Sequence, residues 1–137
     1  MADVTIRAEV PFRITDPRRP LLAVPVHVND RGPYEFVLDT GASRTVIFDA
    51  LADELGIVRG QAIQGHGAGG PVQFSLGEAN AIAIGTARAE RVPIVIGPID
   101  AIARNVTPVP AGVLGYSYLS RFRVLIDYPG SRLVLES

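Results

Sequence analysis

The sequence predicts a single all-β domain, closed into a small barrel and spanning residues 1–137. Three observations carry this. Near both ends the residues alternate with period two: Val4, Ile6, Ala8 and Val10 against Thr5, Arg7 and Glu9, then Phe122, Val124 and Ile126 against Arg123, Leu125 and Asp127. Short apolar, β-branched runs recur between turns rich in Gly, Pro, Asn and Asp. Only one stretch has helical character, and it is short.

The elements follow in order. Val4 to Val10 is a half-buried strand that Phe12 and Ile14 extend past Pro11, and residues 16 to 20 form a loop. Leu21 to Val28 is a strand in which Pro25 marks an edge or a bulge. Asn29 to Pro33 is a tight connection, and Tyr34 to Leu38 returns, so the hairpin delivers Asp39 at its end. Thr45 to Phe48 is the next strand. Asp49 to Leu55 is the helix, with Ala50, Leu51 and Leu55 on one side and Gly56 as its C-terminal cap. Gly65 to Gly70 is a glycine-rich loop. Val72 to Leu76, Ala79 to Ile84 and Val92 to Ile96 are strands, the first two separated by Gly77, and Ala101 to Pro110 is irregular. Phe122 to Ile126 and Leu133 to Leu135 form a final hairpin around Pro129-Gly130-Ser131.

Composition narrows the chemistry. Of 137 residues, 47% are apolar, enough for one packed core. Thirteen basic residues against 14 acidic ones leave a net charge of −1, which is no footprint for nucleic acid or an anionic membrane. Every basic residue is Arg, so the chain offers neither a Schiff-base amine nor the Lys of a phosphate-binding loop. With no Cys, thiol catalysis, disulfides and Cys-ligated metals are excluded. The N-terminal residues lack a signal-peptide core, and the apolar run from Val92 to Ala103 is broken by Pro93, Gly97, Pro98 and Asp100. A soluble, cytoplasmic protein is expected.

One segment carries chemistry. Between the apolar runs ending at Leu38 and beginning at Thr45 lies Asp39-Thr40-Gly41-Ala42-Ser43. An acid at the end of a rigid strand is where reactive groups are often placed. Gly41 permits unusual backbone and lets amides approach the carboxylate, and Thr40 offers a short hydroxyl that both donates and accepts. Alone, Asp-Thr-Gly is equally a common turn, because Asp bonds its own backbone and Gly takes positive φ.

The run from Phe36 to Ile47 resembles the active-site segment of retropepsin-like aspartic peptidases. Val113-Leu114-Gly115 matches that family's downstream apolar-apolar-Gly mark, and Gly65 to Gly70 stands in order as a glycine-rich flap hairpin. The terminal hairpin is similar to that of bacterial members, so the resemblance covers about residues 21 to 136. It implies a closed acid-protease barrel and an aspartic endopeptidase needing no cofactor or metal. Asp39, Thr40 and Gly41 would be catalytic, while Ala42, Ser43, His66, Gly67, Ala68, Gly69, Leu114 and Gly115 would bind a peptide or protein substrate. Where bacterial relatives often carry an acid two positions after that Gly, this chain has Ser117, which bears on a local hydrogen bond. The reaction needs two carboxylates, and the chain has one D-T-G, so two copies must meet as a homodimer.

The other candidates have simpler readings. His66 reads as a solvated loop residue as well as a substrate contact, and His27 as a structural histidine; their spacing matches no zinc site. The Gly65 to Gly70 loop does not fit the dinucleotide fingerprint. A haloacid-dehalogenase motif needs an acid where Gly41 stands. Asp127 initiates a turn, and Arg18-Arg19 is a loop pair. Two rivals to the peptidase remain open: a catalytically inactive, dimeric retropepsin-like peptide-binding module, and a monomeric barrel whose D-T-G is only a turn.

Overall fold

The computed structural model describes residues 5–15, 21–67, 70–99 and 106–137. In chain order its elements are β1 (Arg7–Pro11), β2 (Arg13–Ile14), β3 (Leu22–Val28), β4 (Arg31–Leu38), β5 (Thr45–Phe48), α1 (Asp49–Leu55), β6 (Ala62–Gly67), β7 (Gly70–Ile84), β8 (Ala87–Gly97), β9 (Gly112–Leu114), α2 (Tyr116–Leu119), β10 (Arg123–Asp127) and β11 (Arg132–Glu136). The class is all-β as expected, with two short helices where one was expected. Val4, the 16–20 loop and residues 101–105 of the 101–110 segment lie outside the described residues.

Local chemistry explains the first hairpin. Asn29 and Asp30 both take left-handed backbone, with φ of 52° and 64°. Two such residues make the two-residue turn whose twist matches paired strands. The connection is therefore shorter than expected: Val28 already pairs with Arg31, so Arg31, Gly32 and Pro33 belong to β4. Pro25 sits where β3 has one neighbour only. β2 pairs at Leu22 and Ala23, β7 pairs at His27 and Val28, and β4 runs along the other side with a bulge between Val26 and Val28. A residue without an amide hydrogen is tolerated there.

Six strands close on themselves. β3 pairs with β4, β4 with β9, β9 with β5, β5 with β8, β8 with β7, and β7 returns to β3 through His27–Ala83 and Val28–Ile82. The β4–β9 and β5–β8 pairs are parallel and the rest antiparallel. β2 and β6 extend this ring, and β1, β11 and β10 form a separate three-stranded antiparallel sheet. Val26, Phe36, Ile47, Ile82, Leu114 and Leu133 are fully buried in the shared core. His27 faces solvent between buried Val26 and Val28, as strand alternation requires.

The sequence misplaces several boundaries, each for a physical reason. β7 runs unbroken through Gly77, which pairs with Ile94. A Cβ there would lie 3.1 Å from the Ile96 side chain, so the glycine makes room for a neighbour and does not end the strand. The glycine-rich segment is largely strand: Gly65, His66 and Gly67 pair with Val72, Pro71 and Gly70 as the end of a β6–β7 hairpin. In α1 the buried stripe is Leu51 and Ala52, with Leu55 half-buried and Ala50 exposed. Gly56 caps the helix as expected, with φ of 67° and its amide on Asp53 O. Among the described residues no helix is long and apolar enough to cross a membrane.

Candidate active site

β4 carries the chain to the site beside β9. Leu38 and Leu114, the last residues of the two strands, are register partners. One further ladder bond follows: the Asp39 amide donates to the Leu114 carbonyl at 3.0 Å. The backbone of the acid is thus anchored to a central strand while its side chain is exposed. Beyond it the chain turns, with the Ala42 amide on the Asp39 carbonyl at 3.2 Å and the Gly41 amide on Asp39 Oδ1 at 3.0 Å. The second bond fixes the carboxylate's orientation. Thr40 and Ser43 are exposed, and Ala42 is half-buried.

The turn is clamped from the other side by the segment after β9. Gly115 donates to Thr45 Oγ1 at 3.1 Å, the Thr45 amide donates to Ser117 Oγ at 3.1 Å, and the Tyr116 amide donates to the Ala42 carbonyl at 2.8 Å. Thr45 is fully buried, so its hydroxyl satisfies an amide that water cannot reach. The local hydrogen bond on which Ser117 was expected to bear is made: its hydroxyl accepts from the Thr45 amide. Gly115 has extended backbone. A Cβ at this position would collide with the Arg44 carbonyl and stand 2.9 Å from that of Ala42. Only glycine allows this approach.

α2 anchors the clamp to the ring. Tyr118 is fully buried; its hydroxyl donates to the Ala87 carbonyl and accepts from the Ile84 amide at 3.3 Å. Burial pushes its phenol well above the ordinary tyrosine range, so it stays neutral.

The expected site residues fall into three groups. Asp39 to Ser43 form the turn itself. Leu114 and Gly115 are buried against it, and they contribute backbone: the Leu114 carbonyl holds Asp39, and its side chain packs in the core. His66 is exposed on β6 opposite Pro71, and Gly67 pairs with Gly70, while Ala68 and Gly69 lie outside the described residues. Sequence reasoning passed over Thr45. A hydroxyl opening an otherwise apolar strand was the available signal.

A pocket of about 320 Å³ adjoins the turn, lined by Ser43, Arg44, Leu76, Gly77, Pro93, Ile94 and Ser117. A larger cavity of about 540 Å³ lies between α1, Tyr34 and Pro110, away from Asp39. No residue of the Asp39 turn lines the larger cavity.

Comparison with known proteins identifies the family and the fold. The aspartyl protease family model matches residues 24–118. That span includes the Asp39 turn, the β6–β7 hairpin, Gly115 and Ser117. A search of curated proteins returns no match. Among solved structures, a retropepsin-like aspartic protease from Rickettsia conorii superposes with a TM-score of 0.65 at 22% identity, covering 99% of this chain and 95% of that one. EIAV protease, solved with an inhibitor, gives a TM-score of 0.50 at 26% identity over 77% of this chain and 88% of that one. The chain belongs to the aspartyl protease family and has a retropepsin-like fold.

Proposed function

We propose that the chain is an aspartic endopeptidase, working as a homodimer with two copies of Asp39 facing each other across a twofold axis. The observation that carries this is a single exposed carboxylate, anchored through its backbone to Leu114 and oriented by the Gly41 amide. One such group is half of a dyad. Two carboxylates a few ångströms apart do not both ionise, so they share a proton and titrate as a unit.

The ionised Asp39 takes a proton from water as the water oxygen bonds to the scissile carbonyl carbon. The protonated Asp39 donates to the carbonyl oxygen. The resulting tetrahedral diol collapses: one hydroxyl returns its proton to the carboxylate that had donated to the carbonyl oxygen, the C–N bond breaks, and the nitrogen takes the proton that the other carboxyl had gained from water as it leaves as an amine. Water and the two carboxylates balance the reaction, with no cofactor. Thr40, exposed beside the acid, bonds across the axis to its counterpart. Gly41 brings its amide to the carboxylate, and Ala42 and Ser43 border the substrate backbone. The β6–β7 hairpin, with His66, Gly67, Ala68 and Gly69, closes over the peptide as a flap and excludes water. Leu114 and Gly115 act from beneath by holding the turn.

The test is cleavage of a peptide library by the wild type and by Asp39→Asn, from acid to neutral pH. Cleavage by the wild type alone is expected. Equal cleavage by Asp39→Asn would remove Asp39 from the mechanism. Peptide binding without turnover by either protein would favour the inactive binding module.

A further inference from the structure

Six of the ten arginines among the described residues are committed. Arg7, Arg13, Arg59, Arg88 and Arg132 each pair with a carboxylate. Arg121 donates to the Glu90 and Arg91 carbonyls. Arg44 is different. It is exposed and engages no hydrogen-bond or ion-pair partner among the described residues. Yet its backbone is among the most constrained in the site. Its carbonyl packs against Gly115, and the next amide, that of Thr45, is bound to Ser117. A free guanidinium on a fixed stem stands five positions after Asp39.

Arg44 lines the pocket of about 320 Å³ beside the turn. Arg44 is the single charged residue among the described residues lining it; Leu76, Pro93 and Ile94 are apolar, Gly77 adds no side chain, and Ser43 and Ser117 carry hydroxyls. Ser117 Oγ already accepts from Thr45. Ser43, which is exposed, has a hydroxyl free to donate. A short apolar wall ending in a guanidinium and a donor hydroxyl complements a side chain with an apolar stem and a carboxylate tip. It disfavours a cationic side chain by like-charge repulsion.

We infer that Arg44 makes this pocket a subsite for a Glu or Asp side chain of the peptide substrate. Arg44 determines specificity and takes no part in bond breaking. The inference rests on the peptidase reading. In a homodimer the twofold axis generates a second such pocket, so acidic selection operates on both sides of the scissile bond. Because Arg44 is partly solvated, the attraction is modest and weakens with salt.

The experiment uses extended peptides with Glu, Gln or Lys scanned through each position, cleaved by the wild type, Arg44→Gln and Arg44→Glu. At the responding position the wild type should prefer Glu over Gln by about fivefold to tenfold in kcat/KM. Arg44→Gln should level that preference, and Arg44→Glu should turn it towards Lys. A wild type indifferent to Glu at every position, or variants keeping the wild-type preference, would overturn the inference. If the wild type cleaves nothing, the peptidase reading fails, and the pocket is judged by fluorescence anisotropy of labelled Glu and Gln peptides. Tighter Glu-peptide binding that disappears in Arg44→Gln then upholds the subsite. Equal binding, or none, overturns it.

Discussion

Replacing Thr45 by Val tests how the active-site turn is held. The two side chains have nearly the same shape, so the substitution exchanges one hydroxyl for one methyl. Thr45 is fully buried, and its Oγ1 is the acceptor for the Gly115 amide. In Thr45→Val that amide stays buried without a partner, at a cost of about 1–3 kcal/mol. Unfolding entropy of about 2.1 cal/mol/K per residue, scaled to 137 residues, makes each kcal/mol worth about 3–4 °C in Tm. The expected loss is therefore about 3–10 °C, read by thermal unfolding at one protein concentration, since a dimer's Tm depends on concentration. Thr45→Ser is the control: it keeps the hydroxyl and gives up a methyl. Peptide cleavage by Thr45→Val should fall further than the Tm alone explains, because Gly115 also packs against the Arg44 and Ala42 carbonyls. A Thr45→Val protein as stable as the wild type, with Thr45→Ser less stable than it, would refute the reasoning.

Three further outcomes follow from the same geometry. Gly115→Ala forces a Cβ into the Arg44 carbonyl, so it should cost about 1–3 kcal/mol in urea unfolding and displace the turn enough to abolish cleavage; wild-type cleavage would show that the approach is not needed. Tyr118→Phe leaves the Ala87 carbonyl and Ile84 amide without their hydroxyl partner, and should lower the urea midpoint by the equivalent of about 1–3 kcal/mol with unchanged slope. Hydrogen bonds from Arg132 and then Arg7 hold the Glu9 carboxyl below the usual range, so its contribution is present above the unfolded-state pKa and is lost as pH falls through the folded-state value. The Tm difference between wild type and Glu9→Gln should accordingly be small at neutral pH and close in acid; a difference that grows on acidification would contradict the sign.

Much of this was legible because it is local. Period-two alternation located β1 and β10, the Pro129-Gly130-Ser131 turn located β11, and Gly56 marked the end of α1 through the left-handed backbone it takes. Asp39 could be placed at a strand end because apolar runs flank it on both sides. Non-local features left less trace. The ring closes through two register pairs, His27–Ala83 and Val28–Ile82, far apart in sequence. The three residues of β9 sit between β4 and β5, parallel to the first and antiparallel to the second, in pairings that no turn signal announces. α2 is four residues long, about one helical turn, too short for a repeating pattern to show. At the site, Asp39, Gly41 and Gly115 were visible as residue types, whereas the role of Thr45 depends on a partner 70 positions away.

The central claim is that two Asp39 carboxylates from two chains make one active site. Subunit exchange between the wild type and Asp39→Asn tests it directly. With equal amounts mixed and equilibrated, about half of the dimers carry one Asp and one Asn, and about a quarter carry two Asp. If both carboxylates are required, cleavage falls to about half of that given by the same amount of wild type alone, and excess Asp39→Asn suppresses it further. Activity that stays proportional to the wild-type chain, whatever the excess of Asp39→Asn and with exchange confirmed by mass, would contradict the shared dyad.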